Sequence, residues 1–241
     1  MSPPIPDSSA LPGGLTFTLR VASLNVWNPG PDKTQRNQGL AAALRERNLD
    51  VVLLQEMDGT AAQFDLFRRV AGFSHGVRSG DVAILSRFEL TNFEAPELPR
   101  KPSLTPIRQL LNRRDVYFCI AAFQHNGMRF HVSSHHWDNR QLVNRKTAAA
   151  ATAARMSHVP ADTVILCGGD FNTHQETDEL QRVMKEGLLN SGTPGDFIDF
   201  ILYRGTGIQL LKQTLERFPG LTDHPMLLSE FILVGSRPAV A

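Results

Sequence analysis

Polar side chains stand in this sequence where short apolar runs stop. Asn25 follows the run at 21–24, Glu56 follows 51–54, and Asp170 with Asn172 follows 164–167. Asp199 lies within 197–203 on the strand face of Phe197 and Ile201, and Asp223 with His224 precedes the run at 226–234. A carboxylate on an apolar strand is costly unless it is paired or holds a cation, so several of them call for a site that collects them. Oxygen ligands without cysteine suit a hard cation, Mg²⁺ first and Mn²⁺ second, and disfavour zinc. Carboxylates with histidines then supply what phosphodiester hydrolysis needs: a cation against developing charge, a group that orients water, and a proton donor or acceptor.

Such residues need strands to carry them. Alternation predicts a strand over 15–27, helical spacing of Leu40 and Leu44 a helix over 33–48, and the bounded apolar run at 50–55 a buried strand. A helix fits 60–71, strands fit 81–85, 116–123 and 129–134, and the alanine-rich 140–156 is a strong helix former. After a strand at 163–167, Thr173 and Glu176 form a capping box that opens a helix to about residue 186. Strands at 197–203, 208–211 and 226–234 close the chain. Strands dominate and helices do not alternate strictly with them, which predicts an α/β or α+β layered sandwich rather than a doubly wound parallel sheet.

Composition narrows the class. At 241 residues, 41% hydrophobic and 20% charged, the chain can bury a sizeable core, and a net charge of +1 selects no polyanionic or membrane partner by bulk attraction. Residues 15–241 are expected to form one catalytic domain behind a proline-rich leader at 1–14. That leader lacks the basic and apolar parts of a secretory signal, so a cytoplasmic location is expected, or a secreted one if a signal has been removed. No apolar run is long enough to span a bilayer, and nothing calls for an obligate protein partner, so a monomer is expected. Cys119 and Cys167 sit in apolar runs as reduced core residues. The stretch 89–114 is broken by Pro96, Pro99, Pro102 and Pro106. Its second half holds Arg100, Lys101, Arg108, Arg113 and Arg114 and no acid, a set that could cradle phosphates or serve as a solvated connection.

Seven blocks in order resemble the metal-dependent endonuclease/exonuclease/phosphatase superfamily, which includes deoxyribonuclease I, abasic-site endonucleases, neutral sphingomyelinases and inositol polyphosphate phosphatases. They are SLNVW at 23–27, DVVLLQE at 50–56, VAILSR at 82–87, HVSSH at 131–135, GDFN at 169–172, IDFI at 198–201 and TDHP at 222–225. The resemblance implies a deoxyribonuclease I-like four-layered sandwich, two packed mixed β-sheets flanked by helices, with the site at one end. It implies Glu56 as main metal ligand with Asn25 and Asp223 nearby, and Asp170 and Asn172 orienting water and phosphate. It further implies that Asp199 fixes the ring of a proton-transferring His224, and that His135 contacts the phosphate. Ser133 and Ser134 depart from the family's usual Asn and Thr. A histidine at 135, without the tyrosine motif of the abasic-site enzymes, is similar to the deoxyribonuclease, sphingomyelinase and inositol phosphatase branches.

The activity expected is divalent-metal-dependent phosphodiester hydrolysis by in-line attack of water, with nucleic acid as substrate and the basic stretch at 100–114 as its contact. Phospholipid head groups or inositol phosphates are the alternative substrates. A silent binding module on the same fold is the alternative of another class, opposed by the intact Glu56, Asp170, Asn172, Asp199 and His224.

Overall fold

The computed structural model describes residues 15–28, 30–99 and 114–235. The leader at 1–14 and four of the basic residues, Arg100, Lys101, Arg108 and Arg113, lie outside the described residues; Arg114 is placed by its backbone alone. In chain order the elements are β1 (Leu15–Asn25), α1 (Lys33–Glu46), β2 (Val51–Gln55), α2 (Ala61–Val70), β3 (His75–Ser79), β4 (Val82–Ser86), β5 (Thr91–Glu94), β6 (Glu97–Pro99), β7 (Arg114–Val116), β8 (Phe118–His125) and β9 (Met128–His136). They continue as α3 (Leu142–Ser157), β10 (Thr163–Asp170), α4 (Asp178–Met184), β11 (Leu189–Asn190), β12 (Asp199–Arg204), β13 (Ile208–Glu216) and β14 (Met226–Gly235).

Two six-stranded mixed sheets result, ordered β13-β14-β1-β2-β4-β3 and β11-β12-β10-β9-β8-β5, with a small β6-β7 ribbon beside them. Strand period divides each sheet's side chains between two layers. Leu19, Val21, Val51 and Leu53 of the first sheet meet Phe123, Phe130, Val132, Leu166 and Ile201 of the second. Their outward neighbours Ala22, Leu24, Val52 and Leu54 pack under Leu40, Leu44 and Phe67 of α1 and α2. Ile165, Cys167, Phe200 and Leu202 of the second sheet pack under Ala148, Met156, Leu180 and Val183 of α3 and α4. The order helix, sheet, sheet, helix is the four-layered sandwich. Phe123 and Phe130 stack 4.4 Å apart in the middle layer, where full burial of each ring is worth about 1.5–3 kcal/mol.

Local chemistry explains where the elements differ from expectation. The helix expected from Thr173 begins only at Asp178, because Thr173 Oγ1 is engaged with Thr177 Oγ1 at 2.9 Å and residues 174–177 form a turn. The strand expected over 116–123 is divided at Tyr117, whose carbonyl accepts from His136 N at 2.9 Å. The short strands β3, β5 and β11 carry little alternation and were not legible. Cys119 and Cys167 are free and buried. Among the described residues no helix is long and apolar enough to cross a membrane.

Candidate active site

The two parallel strand pairs fix one end of the sandwich. β1 pairs with β2 and β9 with β10 in parallel, so the carboxyl ends of all four strands open at the same place. Carboxyl ends of parallel strands are where α/β sheets collect polar groups. β4, β12 and β14 run antiparallel to these strands, so it is their beginnings, after Asp81, at Asp199 and after His224, that reach the same end.

Between the sheets the apolar layer gives way first to neutral polar groups. Gln55 Nε2 donates to Ser134 Oγ (3.1 Å) and to Ser23 Oγ (3.3 Å), and Ser134 Oγ donates to the Leu54 carbonyl (3.0 Å). Two residues beyond Ser23 and Ser134, the inward positions are Asn25 and His136, with Asp170 and Asp199 beside them. Asp170 is in register with His136 on one side and Asp199 on the other, so three ionisable groups lie abreast. Glu56, in left-handed backbone (φ 55°), turns off the end of β2 beside them. Gly168 and Gly169 make this possible. A Cβ on Gly168 would lie 2.7 Å from Leu53 Cδ1, and one on Gly169 (φ 151°) would lie 2.0 Å from the His135 carbonyl oxygen. Only glycine brings β10 this close to its neighbours.

Asn25 Nδ2 donates to Glu56 Oε1 (3.2 Å) and Asp170 Oδ2 (3.0 Å), drawing the two carboxylates together. Asn172, also left-handed (φ 48°), donates its amide to the Trp137 carbonyl (2.9 Å) and its backbone N–H to Asp170 Oδ1 (2.9 Å). His224 Nδ1 bonds Asp199 Oδ2 at 2.9 Å and leaves Nε2 facing Asp170 at 3.8 Å. A second pair mirrors it: His136 Nδ1 bonds Asp81 Oδ2 at 2.6 Å, and its Nε2 faces Asp170 at 3.9 Å and Glu56 at 4.0 Å.

The electrostatics follow from this crowding. Burial and the charge of Asp199 push Asp170 up to about 6, against the pull of His136 and His224. Burial pulls both histidines down, but the hydrogen bond to Asp199 and the charges of Asp199, Asp170 and Asp223 outweigh it at His224, and Asp81, Asp170 and Glu56 do so at His136. Each is carried to about 9. With no metal ion bound, the surrounding carboxylates thus favour the protonated form of both rings at neutral pH.

Glu56, Asp170 and His224 offer ligand atoms within 4.8 Å of one another. Two carboxylates, one of them 2% exposed and resisting ionisation, make a donor set that a hard divalent cation fits, the cation being the missing counter-charge.

One expected site residue is displaced: His135 lies at this end of β9 but does not face the site. It is fully buried on the outer face of β9, with Nε2 2.8 Å from Ser133 Oγ and the ring stacked between Phe118 and Phe171 at 5.0 and 5.2 Å. Desolvation holds it down to about 3. His136 takes the place expected of it, and alternation from the core residues Phe130 and Val132 was the signal that could have found it. Asp81 was missed because it sits in the short turn before β4. Asp223 is exposed and stands outside the close group of Glu56, Asp170 and His224, bearing on it only as a charge beside His224.

The sequence profile of the Endonuclease/Exonuclease/phosphatase family matches residues 22–224, a span that takes in every one of these side chains. The chain belongs to that family. Solved structures of the same fold agree, each too distant in sequence to show more than the fold. An endonuclease/exonuclease/phosphatase from Bacteroides vulgatus is 16% identical with a TM-score of 0.73, over 90% of this chain and 99% of that one. Humanized D. rerio TDP2 is 18% identical with a TM-score of 0.68, over 89% and 98%. Sphingomyelinase C from Streptomyces griseocarneus is 16% identical with a TM-score of 0.63, over 91% and 100%. Comparison with curated proteins gives no match. Membership makes the chain one of a family of metal-dependent phosphoester hydrolases.

Proposed function

We propose that this family member hydrolyses phosphodiesters with Mg²⁺, or Mn²⁺ in its place, and that nucleic acid is the substrate. The observation that carries the reaction is the pair of imidazole–carboxylate couples, His136–Asp81 and His224–Asp199, on either side of Asp170. Glu56 would hold the cation, with Asp170 and Asn25 beside it and Asp223 at its margin, and the ion would neutralise charge developing on the phosphate oxygens. The remaining work belongs to the chain. Asp199 and Asp81 each hold one imidazole by Nδ1 and leave Nε2 free to meet a phosphate oxygen. As cations, the two rings stabilise the negative transition state and can return a proton to the leaving oxygen. Asp170, ionised above about pH 6, and Asn172 would orient the attacking water.

The nucleic-acid part rests on the run Arg100, Lys101, Arg108, Arg113 and Arg114 in the sequence; of the residues bounding this stretch, Pro99 pairs with Arg114. One observation favours the rival substrate. A cavity of about 290 Å³ beside His136 is lined by Asp81, Asp115, Asp138, Tyr117 and Trp137. Carboxylates and aromatic rings suit the cationic part of a phospholipid head group better than a neighbouring phosphate.

Hydrolysis of bis-p-nitrophenyl phosphate, supercoiled DNA, sphingomyelin and an inositol polyphosphate, each with Mg²⁺, Mn²⁺ or EDTA, separates these readings. DNA nicking that needs metal and is lost in Glu56→Ala supports the nuclease. Activity confined to a lipid or inositol substrate keeps the reaction and moves the substrate, and silence on all of them favours the binding module.

A further inference from the structure

Arg36 on α1 is 3% exposed, and no carboxylate among the described residues pairs with it. Its guanidinium is satisfied entirely by main chain. Nε donates to the Pro31 carbonyl (2.5 Å), Nη2 to those of Trp27 (2.8 Å) and Gly30 (3.2 Å), and Nη1 to those of Val26 (3.2 Å) and Leu221 (2.7 Å). It also lies 4.8 Å from the centroid of the Trp27 ring, and a Cβ on Gly30 would strike both groups, at 2.6 Å from the ring and 2.9 Å from Arg36 Cζ. A buried cation is costly unless its donors are all met, and here the five acceptors come from two separate loops.

Those loops carry opposite sides of the candidate active site. The first follows Asn25, and its Trp27 N–H donates to Asn25 Oδ1 at 2.9 Å, fixing which way the amide turns toward Glu56 and Asp170. The second precedes His224. Thr222, next to Leu221, donates Oγ1 to the Asn25 carbonyl (2.8 Å) and accepts the His224 N–H on the same oxygen (3.2 Å). We propose that Arg36 is a positioning residue for the reaction, locking the Asn25 loop to the His224 loop through Thr222 so that carboxylates and imidazole keep one register. The inference rests on the phosphodiesterase reading for its kinetic arm and on geometry alone for its spectroscopic arm. Lysine cannot substitute, because a compact ammonium with three donors cannot reach five carbonyls fixed by a planar fork.

The test uses Arg36→Lys, Thr222→Val and the double variant, with the exposed Arg45→Ala as control, each checked for folding by circular dichroism and thermal melting. With bis-p-nitrophenyl phosphate and Mn²⁺, both single variants should lose about ten- to a hundredfold in kcat with KM within about threefold, the signature of misplacement rather than lost substrate contact. The double variant should lose no more than the worse single one. In the metal-free protein the His224 ring resonances by ¹⁵N NMR should shift in both variants and stay put in Arg45→Ala. Wild-type kcat with unmoved His224 signals in folded Arg36→Lys would overturn the proposal, as would multiplicative losses in the double variant or a loss confined to KM. Should Arg36→Lys fail to fold, the kcat and ring signals of Thr222→Val decide. An inactive wild type defeats the phosphodiesterase reading, and the ring signals still decide the role of Arg36.

Discussion

His135 and His136 are neighbours on β9, and the fold sends them to opposite fates. His135 points outward under the helix layer, among Phe118, Phe171 and Trp137, with Nδ1 buried and unbonded. His136 points between the sheets where the apolar layer ends, against Asp81, Asp170 and Glu56. Desolvation, with a smaller push from His131, takes the first to about 3; carboxylates overrule desolvation at the second and take it to about 9. The same side chain thus serves as a packing group or as a cation according to which side of a pleat it occupies. In a strand, chemistry is assigned by parity, and a slip of one residue exchanges the two roles.

Exchanging substituents is the strongest way to break this contrast. His224→Ala and His136→Ala should each lower kcat by about two to four orders of magnitude, some 3–5 kcal/mol of transition-state stabilisation, with the fold intact. His135→Phe, which keeps an aromatic ring in an aromatic slot, should leave kcat within about threefold. Steady-state kinetics on bis-p-nitrophenyl phosphate read all three. A crippled His135→Phe beside an active His136→Ala would reverse the assignment.

The next effect falls on stability. Gly169 sits against the His135 carbonyl in a conformation reserved for glycine, and the neighbour that would have to move is backbone. Gly169→Ala should cost about 3 kcal/mol or more and drag Asp170 away from His136, so thermal melting and activity should fall together. A variant that melts like the wild type would show that β9 and β10 have room the geometry denies them.

How far all this was legible depends on the strength of the local pattern. Long apolar runs such as 51–54 and 164–167 marked buried strands, and Glu56 and Asp170 stood out because a carboxylate closing such a run must be paired or hold a cation. The two-sheet sandwich followed from the ordered blocks, not from periodicity, since pairing such as β1 with β14 joins residues over 200 positions apart. His136 escaped because two adjacent histidines differ only in parity, and β9 runs two residues beyond the strand expected at 129–134. Asp81 and Arg36 escaped because their partners are distant in sequence: His136 lies 55 residues from Asp81, and the Leu221 carbonyl 185 from Arg36. Hydrogen bonds closed by tertiary structure leave no local trace.

Titration sharpens the contrast without changing a residue. In the chelated protein, His136 should remain protonated until about pH 9, and His135 should stay neutral down to about pH 3, as ring ¹⁵N shifts would record. The signs for stability are opposite. The raised folded value of His136 means its stabilisation is complete below the unfolded value near 6.5 and is lost as pH rises through about 9. The depressed value of His135 means stability is full above 6.5 and is lost as pH falls toward about 3, when the unfolded state takes up a proton the core refuses. Melting temperature should therefore decline on both sides of neutrality, and the alkaline decline should shrink in His136→Gln. An alkaline limb unchanged in that variant would remove His136 from the account.

The smallest expected effect isolates why His136 is charged. Its ring faces Asp81, Asp170 and Glu56, but only Asp81 bonds it directly, at 2.6 Å. Asp81→Asn keeps a hydrogen-bond acceptor near Nδ1 and removes one charge, so the value of His136 should fall from about 9 toward 6.5 while Asp170 and Glu56 still support part of the shift. In the chelated protein the ring ¹⁵N shifts should report a cation in both proteins at pH 6, and at pH 8 a loss of protonation in the variant that the wild type does not show. His135, behind the strand, should not move in its ¹⁵N spectrum. Equal protonation of the ring in the two proteins at pH 8 would mean that Asp81 acts by holding the ring's orientation rather than its proton. That result would leave His136 in the active site but would take from Asp81 the role of setting its charge.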